Sequence, residues 1–295
     1  EEEGREGDEE AGGPWGHRLA ALHTLSLDQA LSEAVKMYSF ALSIPGPRPL
    51  SLLRKLGDTC NEMGKRRLAA GELDAAEVWL ARAGESFQDA GDVANLCLVA
   101  VNSAALHKRR AHLMDGHPEE TRLGFTEKQL ACYAAAVDQY ERARSAMGTK
   151  ATCPWMWRIV HTELATTLTT LATRLQQGAP SGVGGMADPK LITDLLTKAL
   201  TIFKANDDGV NVAQCSGLLA STLLRSLDVA GVRRKKDGQL IGPAHHIESH
   251  LTTALAAAVS SQRTDLIISA TVALVDFHIT ITDRADVARR VASLS

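Results

Sequence analysis

From position 25 onward the chain repeats apolar or small residues at helical spacing, and alternating runs of β-branched residues are almost absent. The pattern predicts an all-α chain. Its interruptions are clusters of proline and glycine: Pro45-Gly46-Pro47 followed by Pro49, Asp115-Gly116-His117-Pro118, the tract 178–189, and the tract 231–243. Each stretch between two interruptions is sized for a helical hairpin or slightly more.

The clearest hairpin is predicted over residues 52–90. Leu53, Leu56, Gly57, Cys60, Gly64 and Leu68 fall on one stripe of a long first helix. A turn at Gly71-Glu72 starts a second helix whose stripe is Leu73, Ala76, Leu80, Ala83 and Phe87. Small residues at Gly57, Ala76 and Ala83 let the two helices approach closely, and Leu80 and Phe87 are expected to fill the space to the next hairpin. Burying each large side chain stabilises by roughly 1.5–3 kcal/mol. One hairpin cannot hide both of its apolar sides, so neighbours are required. The second-helix pattern returns as Ala34/Tyr38/Ala41, Ala136/Tyr140/Ala143, Ala199/Phe203/Asn206 and, less regularly, Ala254/Ala258/Ser261. This is similar to the tetratricopeptide repeat, with Leu53, Leu56, Gly57, Gly71, Ala76, Leu80 and Ala83 at its positions, although Gly57 to Gly71 spans two helical turns more than the standard repeat. The expected fold is an all-α solenoid of tetratricopeptide-like hairpins with lengthened helices. The competing reading is an irregular helical bundle.

Four further blocks carry a more particular resemblance: LLRKLGDTCNEMG (52–64), SFQDAGDVANLCLVAVN (86–102), YAAAVDQYERARSAMGT (133–149) and WRIVHTELATTLTTLATRLQQGAP (157–180). Their order and spacing resemble the C-terminal helical half of the erythroid differentiation-related factor 1 family, over about residues 50–215 and weakly elsewhere. The resemblance implies a repeat scaffold within a larger regulatory protein, nuclear and concerned with gene expression.

Composition narrows the class. The 295 residues are 45% hydrophobic, enough for a sizeable core. The net charge of −3 is concentrated at the start, where seven of the first ten residues are acidic. Residues 1–24 read as a disordered acidic and Gly-rich segment, and 25–295 as the repeat domain. The remainder is close to neutral and aromatics are only 4%, which argues against direct nucleic-acid binding. Five well-separated cysteines indicate a reducing compartment, each cysteine reading as a small buried hydrophobe. The longest apolar run, residues 266–275, is about half of the roughly 20 needed for a bilayer span, so no membrane partner is expected and the chain reads as soluble and intracellular. The acidic start is unlike a signal peptide, and the absence of an initiating Met reads as a part of a longer polypeptide.

Two polar rows stand beside apolar stripes: Arg54, Asp58, Asn61 and Lys65 on one helix, and Asn95, Asn102 and Arg109, seven apart, on another. First helices line the concave surface of a stacked solenoid, so these residues and Arg158 are the candidate contacts for a peptide or helix of another protein. Arg158 opens a third row, with Thr162, Thr166, Thr169 and Thr173, whose hydroxyls can instead bond back to their own helix. The bland reading of every row is a solvated face. Basic clusters stand at residues 65–67, 107–110 and 233–236, the last in a loop open to an acidic partner.

No catalytic, metal or cofactor residue is expected. His246 and His250 are four apart, but Glu248 is misplaced for HExxH. Gly57 and Gly64-Lys65 fail the P-loop count, and no G-x-S-x-G elbow occurs. The sequence therefore reads as a protein-interaction scaffold. The alternatives are a structural subunit of a transport or assembly complex and, with no assembled site to support it, an enzyme working between helices. On this packing, Leu80→Ala costs about 2–5 kcal/mol and Ala76→Leu about 1–3 kcal/mol in urea denaturation; silence of both would refute a turn at Gly71.

Overall fold

The computed structural model describes residues 25–114, 126–151, 153–177, 188–227, 232–234 and 239–292. The acidic opening read from residues 1–24 lies outside them, as do most of the interruptions at 115–118 and 178–189. The helices are α1 (Leu27–Ser43), α2 (Leu50–Ala70), α3 (Leu73–Asp89), α4 (Val93–Met114), α5 (Glu127–Met147), α6 (Pro154–Gln177), α7 (Pro189–Ala205), α8 (Gly209–Arg225), α9 (Pro243–Ser260) and α10 (Thr264–Ala292). Between α8 and α9, β1 (Arg233–Arg234) pairs antiparallel with β2 (Leu240–Ile241). The chain is all-α, and within each of its two compact units, Glu1–Leu106 and His107–Ser295, consecutive helices stack as tetratricopeptide-like hairpins with lengthened helices. The boundary between the units falls inside α4.

In the first unit, α1 opens on a capping box, the Ser26 hydroxyl accepting from the Gln29 N–H while the Gln29 side chain accepts from the Ser26 N–H. Helix α2 stops where Gly71 turns left-handed at φ 82°, its N–H satisfying the carbonyl of Leu68. The α2/α3 hairpin then closes through two glycines. A Cβ on Gly57 would lie 2.7 Å from the Phe87 ring, and one on Gly64 would lie 2.7 Å from the Leu80 side chain. Leu80 and Phe87 were expected to fill the gap to the next hairpin. They are seated first on the glycines of their own hairpin, because only a missing Cβ leaves room for them there. Val35 from α1 and Val99 and Leu106 from α4 complete the same buried cluster.

In the second unit, Thr126 and Gln129 form another capping box at the start of α5. Tyr133, Tyr140, Leu164, Leu168, Leu196 and Phe203 are among the fully buried side chains that join α5, α6 and α7. Lys108 (2.8 Å) and the Tyr140 hydroxyl (3.3 Å) converge on one oxygen of Glu163, a polar tie within this packing. Burial, with the negative Glu163 beside it, pushes the Tyr140 phenol up in pKa.

Two tight turns fix an internal repeat. Asp207 and Gln262 both take positive φ, 55° and 54°, between a preceding and a following helix. Shifting by the separation of these two residues aligns α7/α8 with α9/α10: Ile192 with Ile247, Leu196 with Leu251, and Ala199 with Ala254, all buried. The β1/β2 ladder lies in the tract read from sequence as a loop, and Leu240 anchors it to Ala244 and Ile247 of α9. Helix α10 also corrects the sequence reading of its apolar run. Thr264–Thr282 is long and apolar enough by composition to cross a membrane, because hydrophobic residues resume at Phe277 beyond Asp276.

Two glycines of the first hairpin predict opposite effects in urea denaturation. Gly57→Ala destabilises by about 1–3 kcal/mol, since the Phe87 ring must move, although alanine is the better helix former. Gly84→Ala on α3 raises stability by about 0.5–1 kcal/mol, its new Cβ meeting only the Val99 methyl at an ordinary 3.8 Å.

Candidate functional site

The first unit brings together most of the polar residues singled out on α2 and α4. Asn102 Nδ2 donates to Asn61 Oδ1 across the two helices at 2.8 Å. Arg54 reaches Asp92 at 3.2 Å. Asp92 in turn caps α4, accepting from the Asn95 N–H at 3.2 Å and from its side-chain amide at 3.1 Å. Asn95 is thus engaged in ending the turn before α4, and Asp208 and Asn211 repeat the same device at the start of α8. Partial burial and the negative charge of Asp92 hold the Asp58 carboxyl above the ordinary aspartate value of 3.8. Lys65 stands apart from this seam in an exposed pair with Glu62 at 2.6 Å. Arg109 and Arg158 belong to the second unit, where both are exposed.

The second unit holds a groove of about 910 Å³. Its walls are first helices, α6, α8 and α10, and its floor includes Phe203, Leu251 and Ala254 from second helices. The α6 wall takes in Thr166, Thr169 and Thr173 of the row found in the sequence, together with Thr170, Arg174 and Gln177. Each of these hydroxyls donates to a carbonyl one turn back, at 2.8 Å for Thr166 and 2.9 Å for Thr169, Thr170 and Thr173. The opposite walls add Asn211, Gln214, Gly217 and Ser221 from α8 and Ser269 from α10. Arg158 and Thr162, from the same α6 row, are not among the groove residues, while Thr166, Thr169 and Thr173 are. Gln214 and Ser269 were missed in the sequence although they are equivalent positions of the internal repeat, and that equivalence was the available signal.

The other chemistry-bearing groups are structural in their surroundings. Cys60, Cys97 and Cys215 are buried as expected, whereas Cys132 and Cys153 are half-buried, and all five are free thiols. Burial pushes the thiols of Cys60 and Cys215 up to about 11. His161 stacks on Trp157 with ring centres 3.7 Å apart, and burial lowers its pKa. His250 is likewise lowered by burial and by the positive Lys204. Among the described residues no three His, Cys, Asp or Glu side chains converge as metal ligands would.

A stack of helical hairpins whose first helices line a polar groove defines a tetratricopeptide-type repeat protein, a class built to scaffold interactions between proteins. The comparisons narrow the class. Residues 73–207 match the family described as erythroid differentiation-related factor 1-like, tetratricopeptide repeats. Erythroid differentiation-related factor 1 of Homo sapiens and that of Mus musculus are each 28% identical over 150 residues, covering 44% of this chain. The match takes in 12% of the length of either relative. The crystal structure of BtubC (BKLC) from P. vanneervenii aligns over 92% of both chains at 17% identity with a TM-score of 0.39.

The Asp58 carboxyl sets a pH prediction. With its folded pKa above the unfolded one, the folded chain holds the proton more tightly, so this group's contribution is greatest at low pH and falls as pH rises through the folded pKa. Asp58→Asn is expected to flatten that fall just above pH 3.8 and to raise the melting temperature slightly at neutral pH, as read by thermal denaturation across pH 3–7.

Proposed function

We propose that this chain is the interaction scaffold of a nuclear regulatory protein, and that it holds an extended or helical segment of another protein in the α6/α8/α10 groove. The observation that carries the reading is the groove itself: three first helices bring threonine, asparagine, glutamine and serine side chains to one open channel over a buried apolar floor. A floor of Phe203 and Leu251 gives a partner's side chains somewhere to bury, and the polar walls give it hydrogen-bonding groups. The polar seam of α2 and α4 in the first unit offers a second surface of the same type, with Asn61 and Asn102 pre-positioned by their mutual hydrogen bond. The assignment to regulation of gene expression draws on the likeness to proteins named for erythroid differentiation. No turnover is part of this reading.

Gly217 allows a clean test. A Cβ there would meet nothing within 4 Å, so Gly217→Arg fills the channel without pressing on its walls. Proximity labelling in the chain's own cells, with wild type beside the variant, is expected to show a defined partner set reduced about tenfold or more. The melting temperature should be unchanged or slightly raised, because glycine is the poorer helix former. A partner set that survives Gly217→Arg unaltered would reject the groove as the binding surface.

A further inference from the structure

The α6/α8/α10 channel is uneven in what it offers a guest. The hydroxyls of Thr166, Thr169, Thr170 and Thr173 donate to carbonyls of their own helix, and on the α8 wall the Ser221 hydroxyl donates to the Leu218 carbonyl at 2.8 Å. The Asn211 amide likewise donates to Asp208 at 2.7 Å. From Thr166 to Thr173, about 10 Å along the helix axis, the α6 wall is therefore an acceptor surface. Among the described residues no carboxylate lines the channel. Gly217 faces it from the middle of α8, and a Cβ there would meet nothing within 4 Å. Glycine is unfavourable inside a helix, and packing within the chain does not call for this one. Its effect is to bare the α8 backbone to whatever enters.

Granting the channel as the binding surface, we infer that its guest is an amphipathic helix of a partner protein. Large apolar residues of that helix lie over Phe203 and Leu251, and donor side chains, from lysine, arginine, glutamine or asparagine, stand one turn apart against α6. An extended guest is a poor match for the acceptor wall. Every second residue of a strand turns both its N–H and its C=O to the same side, at a repeat of about 6.6 Å. Each carbonyl so turned toward the threonines meets no donor there. A helix keeps its main-chain groups for itself. Its i and i+4 side chains repeat at the same pitch as Thr166 and Thr170, or Thr169 and Thr173, so a helix laid along α6 brings one donor to each turn of the wall. Gly217 lets its axis approach α8 at the near end of the roughly 8–10 Å range of helix packing. Because α6, α8 and α10 each add a wall in turn, hairpins stacked beyond α10 in the same manner lengthen the channel and do not fill it.

The test pans a phage-displayed library of random peptides of about sixteen residues, long enough to span the channel as a helix, on the full chain. Peptides retained equally by the Gly217→Arg variant are discarded, and the affinities of the rest are measured by fluorescence anisotropy. Alanine scanning is expected to cost about tenfold or more at positions three and four apart, and a central proline at least as much. Thr166→Val combined with Thr170→Val, which removes the two oxygens and keeps the shape of the wall, is expected to weaken binding about threefold or more. Losses at alternate positions, or tolerance of the central proline, leave the channel as the binding surface and overturn the helix. Indifference to the valine pair overturns the donor pairing on which the helix was chosen. A library that yields no peptide sensitive to Gly217→Arg, as when the chain's own continuation already fills the channel, rejects the channel as a partner's site and the inference with it.

Discussion

The architecture rests on how closely α3 can lie on α2. Phe87 and Leu80 occupy the space that side chains on Gly57 and Gly64 would fill, so the two helices meet with ring and isobutyl group directly against backbone. Interiors packed to crystal-like density transmit such a distance to whatever is stacked next. Val35 of α1 and Val99 and Leu106 of α4 pack onto the cluster that those contacts create, and Ala76 and Ala83 keep the rest of the interface equally thin. In the second unit the same economy is met by alanine, with Ala136, Ala165, Ala199 and Ala254 of α5, α6, α7 and α9 fully or almost fully buried.

The hairpins were readable in the sequence because that constraint leaves a periodic trace. The stripe Leu53, Leu56, Gly57, Cys60 and Gly64 is buried as its spacing requires, and the turn at Gly71 falls where the glycine sits. Each small–large–small triplet built on Ala34, Ala76 or Ala136 lies on a second helix, and that built on Ala199 runs to the C-cap of one at Asn206. Helix α4 was less distinct: its inner stripe of Cys97, Ala104 and Ala111 recurs every seven residues, but residues so small scarcely separate an apolar side from a polar one. The β1/β2 ladder left no signal, since two residues per strand are too few for an alternating pattern.

The candidate sites were legible only by row. Helical spacing places Asn61 beside Arg54 on one helix, and Asn102 on another, but their meeting depends on how α2 and α4 pack, which spacing along either helix does not contain. Asn95 matched the same periodicity and is engaged instead in capping, because an Asp three residues earlier at a helix start competes for its amide. The groove was foreshadowed by the threonines of α6, whereas Gln214 and Ser269 come to it from helices whose polar residues are too scattered to form a row. The full apolar reach of α10 was hidden by reading Asp276 as the end of an apolar run, when on a helix it is merely the edge of one.

The threonine wall has a consequence for molecular discrimination. Every hydroxyl along it has already spent its single hydrogen on its own helix, leaving outward only lone pairs and methyl groups. The threonine stretch of that wall can receive protons in hydrogen bonds but cannot give them; on this helix the donors of the channel are Arg174 and Gln177, at the end of the row. A guest lying against those threonines must therefore bring its own N–H or O–H groups, and a phosphate or carboxylate turned toward them would find oxygen facing oxygen, its place being beside Arg174 and Gln177 instead.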